Sequence, residues 1–105
     1  MYDIAIVGAG PAGLSGALMA DSLGMSTCLI EGGPIGGTVA RIGHVTNFLS
    51  DATTGPGLVE RWQRALESSG CTLIRDQASG LTQIDDGWRV QLRSGAELVA
   101  GYVVV

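Results

Sequence analysis

The residues with the clearest chemical purpose in this sequence are ones with almost no side chain. Gly8-Ala9-Gly10-Pro11-Ala12-Gly13 sets three glycines in the spacing G-x-G-x-x-G, directly after the apolar run Ile4-Ala5-Ile6-Val7. In that spacing the first glycine permits a tight turn and the second lets backbone approach a pyrophosphate. The third allows a helix to pack closely on a strand. A helix opening at Pro11 points unpaired N–H groups and about half a positive charge at whatever lies before it, which suits a diphosphate. Glu31 follows roughly 20 residues on, at the end of the next apolar run, where a carboxylate accepts hydrogen bonds from ribose hydroxyls. It would repel a 2′-phosphate, which disfavours NADP there. This chemistry describes FAD and NAD equally.

The side chains that could act as acids, bases, nucleophiles or ligands do not assemble. His44 has no Cys, Asp or Glu at ligand or triad spacing. Cys28 and Cys71 are far apart with no CxxC, which argues against a zinc site or a redox dithiol, and both read as small core residues. Asp85-Asp86 before Gly87 reads as a hairpin turn, and Glu60, Arg61 and Arg64 as a solvated helix face. Trp62 and Trp88 sit on periodic apolar faces and are expected in the core. No residue qualifies as a catalytic group, and no metal site is expected.

These residues need elements to hold them. Ile4–Val7 is apolar without alternation, as in a strand buried on both faces of a parallel sheet. A helix of small residues runs from about Pro11 to Leu23, with Gly24 as its C′ residue. Ser26 to Ile30 forms the second strand, so the first thirty residues make a βαβ unit. Residues 32–54 show no periodicity but hold Gly32, Gly33, Pro34, Gly36, Gly37 and Gly43, a loop long enough to be functional. A second helix opens at Thr54 or Gly55, with Leu58, Trp62, Ala65 and Ser69 along one face and Val59 and Leu66 beside them. Gly70 closes it before a short strand, Cys71–Ile74. From Ser79 the period becomes two: Leu81–Ile84, Trp88–Leu92 and Glu97–Ala100 read as an antiparallel meander. Tyr102–Val105 reads as a further central parallel strand, within which the chain stops. The expected architecture is a Rossmann-like three-layer α/β domain spanning 1–105, the N-terminal portion of such a domain, with a parallel sheet and the meander as crossover.

Composition sets the outer limits. With 105 residues there is room for one domain. Six Lys+Arg against ten Asp+Glu give a net charge of -4, which disfavours a phosphate-gripping nucleic-acid surface. Seventeen glycines are more than twice the ordinary ~7%, but no triplet repeat makes them collagen. No apolar run approaches the ~18 residues of a membrane span, and Met1-Tyr2-Asp3 lacks the positive start of a signal peptide. A reducing, cytoplasmic setting is expected.

These motifs together resemble the N-terminal FAD-binding part of thioredoxin reductases and related pyridine nucleotide-disulfide oxidoreductases, over nearly the whole chain. The glycine turn is followed by Ala17 at the family's small position. Glu31-Gly32-Gly33, Gly36-Gly37 and Asn47-Phe48 hold the family's register, and Thr54-Gly55-Pro56-Gly57-Leu58 matches its helix start. Thr38 stands where glutamine is common, Thr46 where an acid is common, and Leu49-Ser50 where Pro-Gly is common. The resemblance implies FAD as cofactor, held at Gly8, Gly10, Pro11, Ala12, Gly13, Glu31 and Gly32. It also implies Gly37 and Thr38 near the riboflavin half, Asn47 at the flavin end and the Ala78 backbone at the adenine.

The implied function is an FAD-binding flavoprotein domain of an NAD(P)H-dependent oxidoreductase, whose redox chemistry belongs to the flavin. The family's NADPH domain and CxxC lie beyond this sequence, so the chain alone is expected to be inactive. A dinucleotide-binding module that needs a partner, either a second copy or a complementary chain, is the alternative. A fragment of an NAD-dependent dehydrogenase is a third reading, which Gly36-Gly37 and Asn47 argue against.

Overall fold

The computed structural model describes residues 1–37 and 55–105. Its elements are β1 (Tyr2–Val7), α1 (Pro11–Ser22), β2 (Thr27–Ile30), α2 (Gly55–Ser68), β3 (Thr72–Ile74), β4 (Ala78–Ile84), β5 (Gly87–Leu92) and β6 (Glu97–Val104). All the described strands join one sheet in the order β3-β2-β1-β6-β5-β4. The pairs β3–β2, β2–β1 and β1–β6 are parallel, whereas β6–β5 and β5–β4 are antiparallel.

The pleat of β1 decides what each face buries. Ile4 and Ile6 point to one side and pack with Leu29 of β2, Leu14 and Ala17 of α1, and Val59, Trp62 and Leu66 of α2. Ala5 points to the other side, where it joins Cys28 and Ile30 of β2 with Val90 and Leu92 of β5 and Ala100 of β6. In sheet order β5 does not neighbour β1 or β2, so these contacts require the meander to curl back over that face. The result is the expected three layers: helices, parallel strands and meander. β2 is buried at every position, as its unbroken Thr27-Cys28-Leu29-Ile30 run requires when both faces are covered.

The last strand departs from the sequence-based expectation. Glu97–Ala100 and Tyr102–Val105 were expected to be two strands, but β6 runs unbroken from Glu97 to Val104. Its first half pairs antiparallel with β5 and its second half parallel with β1; Ala100 faces both Trp88 and Tyr2. Gly101 reads like a break but serves as a close contact, since a Cβ there would lie 3.1 Å from the Asp3 carbonyl oxygen. β4 begins earlier than expected, at Ala78, with a register shift between Ala78 and Gly80.

On α2 the buried stripe is Leu58, Val59 and Leu66 with Trp62 half-buried against it, while Ala65, expected inside, is exposed. Trp88, also expected in the core, is only half-buried and belongs to neither core cluster. Arg64 pairs with Glu60 on the outer face of α2 as the i,i+4 spacing predicts. The turn at Asp85-Asp86 hands over to Gly87 at φ 151°. No helix among the described residues is long and apolar enough to cross a membrane.

Both thiols are free; Cys28 is fully buried. Desolvation, with a smaller contribution from Cys71, pushes the Cys28 thiol up from 9.0 to about 11. The unfolded chain loses this proton near its ordinary value while the folded chain keeps it, so stability present below pH 9 is lost as pH rises towards 11. The thermal midpoint is expected to fall across that window, and to fall less in Cys28→Ala. Equal slopes for the two proteins would contradict it.

Candidate functional site

The site is built where β1 gives way to α1. The Gly8 N–H donates to the Ile30 carbonyl (2.8 Å), tying the end of β1 to the end of β2. Gly8 then turns at φ 104°, a conformation that a side chain disfavours. Gly10 is the N-cap of α1 in ordinary extended geometry, and its carbonyl accepts the first helical hydrogen bond, from the Leu14 N–H (3.0 Å). Pro11 takes the first helical position, and no side chain caps the helix. The remaining N–H groups of the first turn have no acceptor within the helix.

The three glycines are not equivalent. A Cβ on Gly13 would sit 1.7 Å from the Gly8 carbonyl oxygen, so Gly13 is glycine because the turn closes against it. A Cβ on Gly8 or Gly10 would meet nothing within 4 Å. At Gly10 the absent side chain therefore leaves a vacant approach to backbone, the shape a diphosphate needs.

Glu31 directly follows β2 and reaches back to the turn. Its Oε1 accepts from the Ala9 N–H (2.9 Å) and its Oε2 from the Gly33 N–H (3.0 Å). Its own N–H donates to the Ile74 carbonyl (3.0 Å), which sets the acid at the carboxyl edge of β3 as well. The next glycines fold onto the same turn. The Gly36 N–H donates to the Ala9 carbonyl (2.7 Å), and a Cβ on Gly37 would lie 3.8 Å from the Gly10 Cα. Gly36 holds φ 93°, and a Cβ there would press to 2.3 Å of Val59 Cγ2 on α2.

Gly32 packs towards the connection between β3 and β4, its absent Cβ 3.2 Å from Gln77 Cβ. The adjoining Ala78, half-buried, opens β4 opposite Leu92. Asp76 fastens this edge: the Ser94 hydroxyl donates to its Oδ2 and the Gln77 N–H to its Oδ1 (2.7 Å). Those bonds, the Ser94 hydroxyl foremost and with help from Arg93, hold the Asp76 carboxyl below the usual range.

Gly8, Gly10, Pro11, Ala12, Gly13, Glu31, Gly32, Gly37 and Ala78 thus lie along the carboxyl edge of the parallel strands. Thr38 and Asn47, with His44, Thr46 and Phe48, lie outside the described residues. Sequence reasoning passed over Ala9, whose N–H and carbonyl are both engaged, and Gly33, the second amide on Glu31. It also passed over Arg75, whose guanidinium donates to the Gly33 carbonyl (3.1 Å). The position of Arg75 directly after a parallel strand was the available signal. Beside the turn, a cavity of about 370 Å³ is lined by Ile4, Ile6, Gly10, Gly13, Gly16 and Val104 among others. No group of three or more metal-ligating side chains occurs among the described residues.

The profile of the FAD binding domain family matches residues 3–69, which contain the turn, Glu31 and α2. The chain belongs to this family. FAD is accordingly its cofactor, and the open backbone at Gly10, the uncapped start of α1 and the acid after β2 fit its adenosine-diphosphate end. The FAD-binding chain is 33% identical over 99 residues to a thioredoxin reductase of Peptoclostridium litorale, covering 92% of this chain and 30% of that protein. It is 32% identical over 109 residues to a thioredoxin reductase of Peptoclostridium acidaminophilum, covering 100% and 34%. Among solved structures it matches thioredoxin reductase of Lactococcus lactis with a TM-score of 0.91 at 25% identity, over 98% of this chain and 34% of that one. That of Streptococcus pyogenes matches with 0.90 at 30% identity, over the same shares. The chain spans about a third of the length of these relatives. The likeness to thioredoxin reductases read from the motifs therefore holds in sequence and in fold.

The unequal glycines separate two variants. Gly10→Val fills free space at a φ of -76° that valine accepts, so the far-UV spectrum and thermal midpoint should remain close to native. FAD affinity should fall roughly tenfold or more, at 1.4 kcal/mol per decade. Gly13→Ala should instead cost about 1–3 kcal/mol of stability by overpacking, seen as a lower midpoint in thermal denaturation. The reverse pattern would refute the division of labour.

Proposed function

We propose that this chain supplies the adenosine-diphosphate part of the flavin site in a thioredoxin-reductase-like, NAD(P)H-dependent oxidoreductase. The observation that carries the reading is the open Gly10 backbone at an uncapped helix start, with Glu31 held beside it by the Ala9 and Gly33 amides. The pyrophosphate lies against the first-turn amides of α1, and Glu31 receives the ribose hydroxyls on its remaining lone pairs. Gly32 and Ala78 border the adenine, and Gly37 and Thr38 with Asn47 extend the site towards the flavin. The bound flavin supplies hydride and electron transfer; this chain supplies binding and orientation. Free cysteines are in keeping with a reducing, cytoplasmic setting.

A second reading, a module that works only with a complementary chain, has its own support. Tyr102 and Val104 pair in register with Ile4 and Ile6, so they stand on the helix side of the sheet, yet they are 69% and 50% exposed. Met19 and Leu23 of α1 are exposed as well. Apolar surface at this density is a feature of faces that pack against more protein.

Titration with FAD, ADP and NAD separates the readings. Visible flavin absorbance retained through gel filtration, with FAD binding at least roughly tenfold tighter than ADP, is expected if this chain contacts both halves of FAD. Equal affinity for FAD and ADP would mean that the flavin half finds its contacts on a complementary chain. Preference for NAD over both would overturn the proposal.

A further inference from the structure

We infer that Glu31 has a second role as a positioning residue: its carboxylate braces the glycine turn in the form that accepts a diphosphate, before and apart from any contact with ribose. This rests on the reading of the turn as the diphosphate site.

The observation is that both carboxylate oxygens are already engaged by backbone. Oε1 holds the Ala9 N–H at 2.9 Å and Oε2 the Gly33 N–H at 3.0 Å, across sequence separations of 22 and 2. Ala9 is fully buried and is the residue between Gly8 and Gly10. Its carbonyl is fixed from the other side by the Gly36 N–H at 2.7 Å. The peptide units around Ala9 are thus gripped at both ends, one by an anion and one by an amide. Gly33, the other amide on Glu31, is itself held by Arg75 through its carbonyl.

The turn has reason to need a brace. Gly8 and Gly10 touch nothing through their missing side chains, and α1 has no side-chain cap. Glycines carry the largest backbone entropy, so a loop this bare is held only by its hydrogen bonds. Bonds to a carboxylate are about twice as strong as neutral ones. Each carboxylate oxygen has two lone pairs, so bracing uses one on each and leaves one on each for a sugar diol. Ribose contact and bracing are therefore compatible, and a ligand without ribose hydroxyls isolates the second.

The test uses Glu31→Gln, which keeps the size but has one acceptor oxygen instead of two. In the ligand-free protein, amide hydrogen exchange is expected to rise at least tenfold at whichever of Ala9 and Gly33 loses its acceptor, while amides of Ile6 and Leu29 in the flanking strands keep their wild-type rates. Affinity is then measured for ADP and for 2′,3′-dideoxyadenosine diphosphate, which has no ribose hydroxyls. Bracing predicts that Glu31→Gln weakens both, by about fivefold or more for the dideoxy compound, although removal of a negative charge near a diphosphate should tighten binding. Unchanged exchange at Ala9 and Gly33 overturns the inference, and so does a loss confined to ADP. Failure of wild-type protein to bind ADP or FAD would instead sink the reading of the turn, while the exchange arm still decides the brace.

Discussion

At the first junction of strand and helix, a hydrogen atom stands where any other residue would put a carbon 1.7 Å from a carbonyl oxygen. That contact between Gly13 and the Gly8 peptide fixes how near α1 comes to β1, and much of the domain follows from it. The helix start is brought over the carboxyl edge of the sheet, its first amides face outward, and Leu14 and Ala17 drop onto Ile6. A larger residue would lift the helix, open the core beneath it and withdraw the amides. The same glycine therefore governs packing and, on the proposed reading, ligand geometry. Gly10, three residues earlier, affects only the second.

The sheet beneath shows how a small domain covers two faces with few elements. Helices α1 and α2 take one side of β1 and β2. The other side is covered by the chain's own antiparallel meander curling over from beyond β6, which is why Val90 and Leu92 share a core with Ala5 and Cys28. β6 makes this possible by belonging to both regimes, parallel to β1 at one end and antiparallel to β5 at the other. Ala100 is the pivot and is fully buried. The helix side of β6 lacks an equivalent cover among the described residues, which leaves Tyr102 and Val104 exposed there.

Much of this was legible in the residues. The strand–turn–helix–strand order, the turn at Gly8–Gly13 and the acid after β2 rest on local signals: an unbroken apolar run, a glycine spacing and a helix-opening proline. What was not legible depended on long-range pairing. Glu97–Ala100 and the apolar run Tyr102–Val105 read as two strands; they are one strand whose neighbour changes from β5 to β1 along its length. Ala65 fits the helical period of α2 as well as Leu66 does, and only the position of the sheet selects Leu66. The hydrogen bonds of Ala9 and Gly33 are made by backbone atoms, which every residue possesses, so residue type gave no hint of them. Asn47 and Thr38, read by resemblance, lie outside the described residues.

A chain with a net charge of -4 that binds an anionic ligand must do so locally, against its own field. Dipoles stand in place of cations. The uncapped start of α1 contributes about half a positive charge, and backbone around Gly10 is bare enough for close approach. Arg75 is committed to the Gly33 carbonyl, and Glu31 already accepts two hydrogen bonds. Such a site costs little desolvation when a ligand arrives, because amides are less strongly hydrated than ammonium groups, and it would discriminate by shape. A phosphate must come within hydrogen-bond reach of peptide N–H groups to gain anything, and only a group that clears Gly10 comes that close. On the proposed reading, selectivity for a dinucleotide over other anions would follow from the absence of side chains at the turn, with the acid setting where the sugar begins.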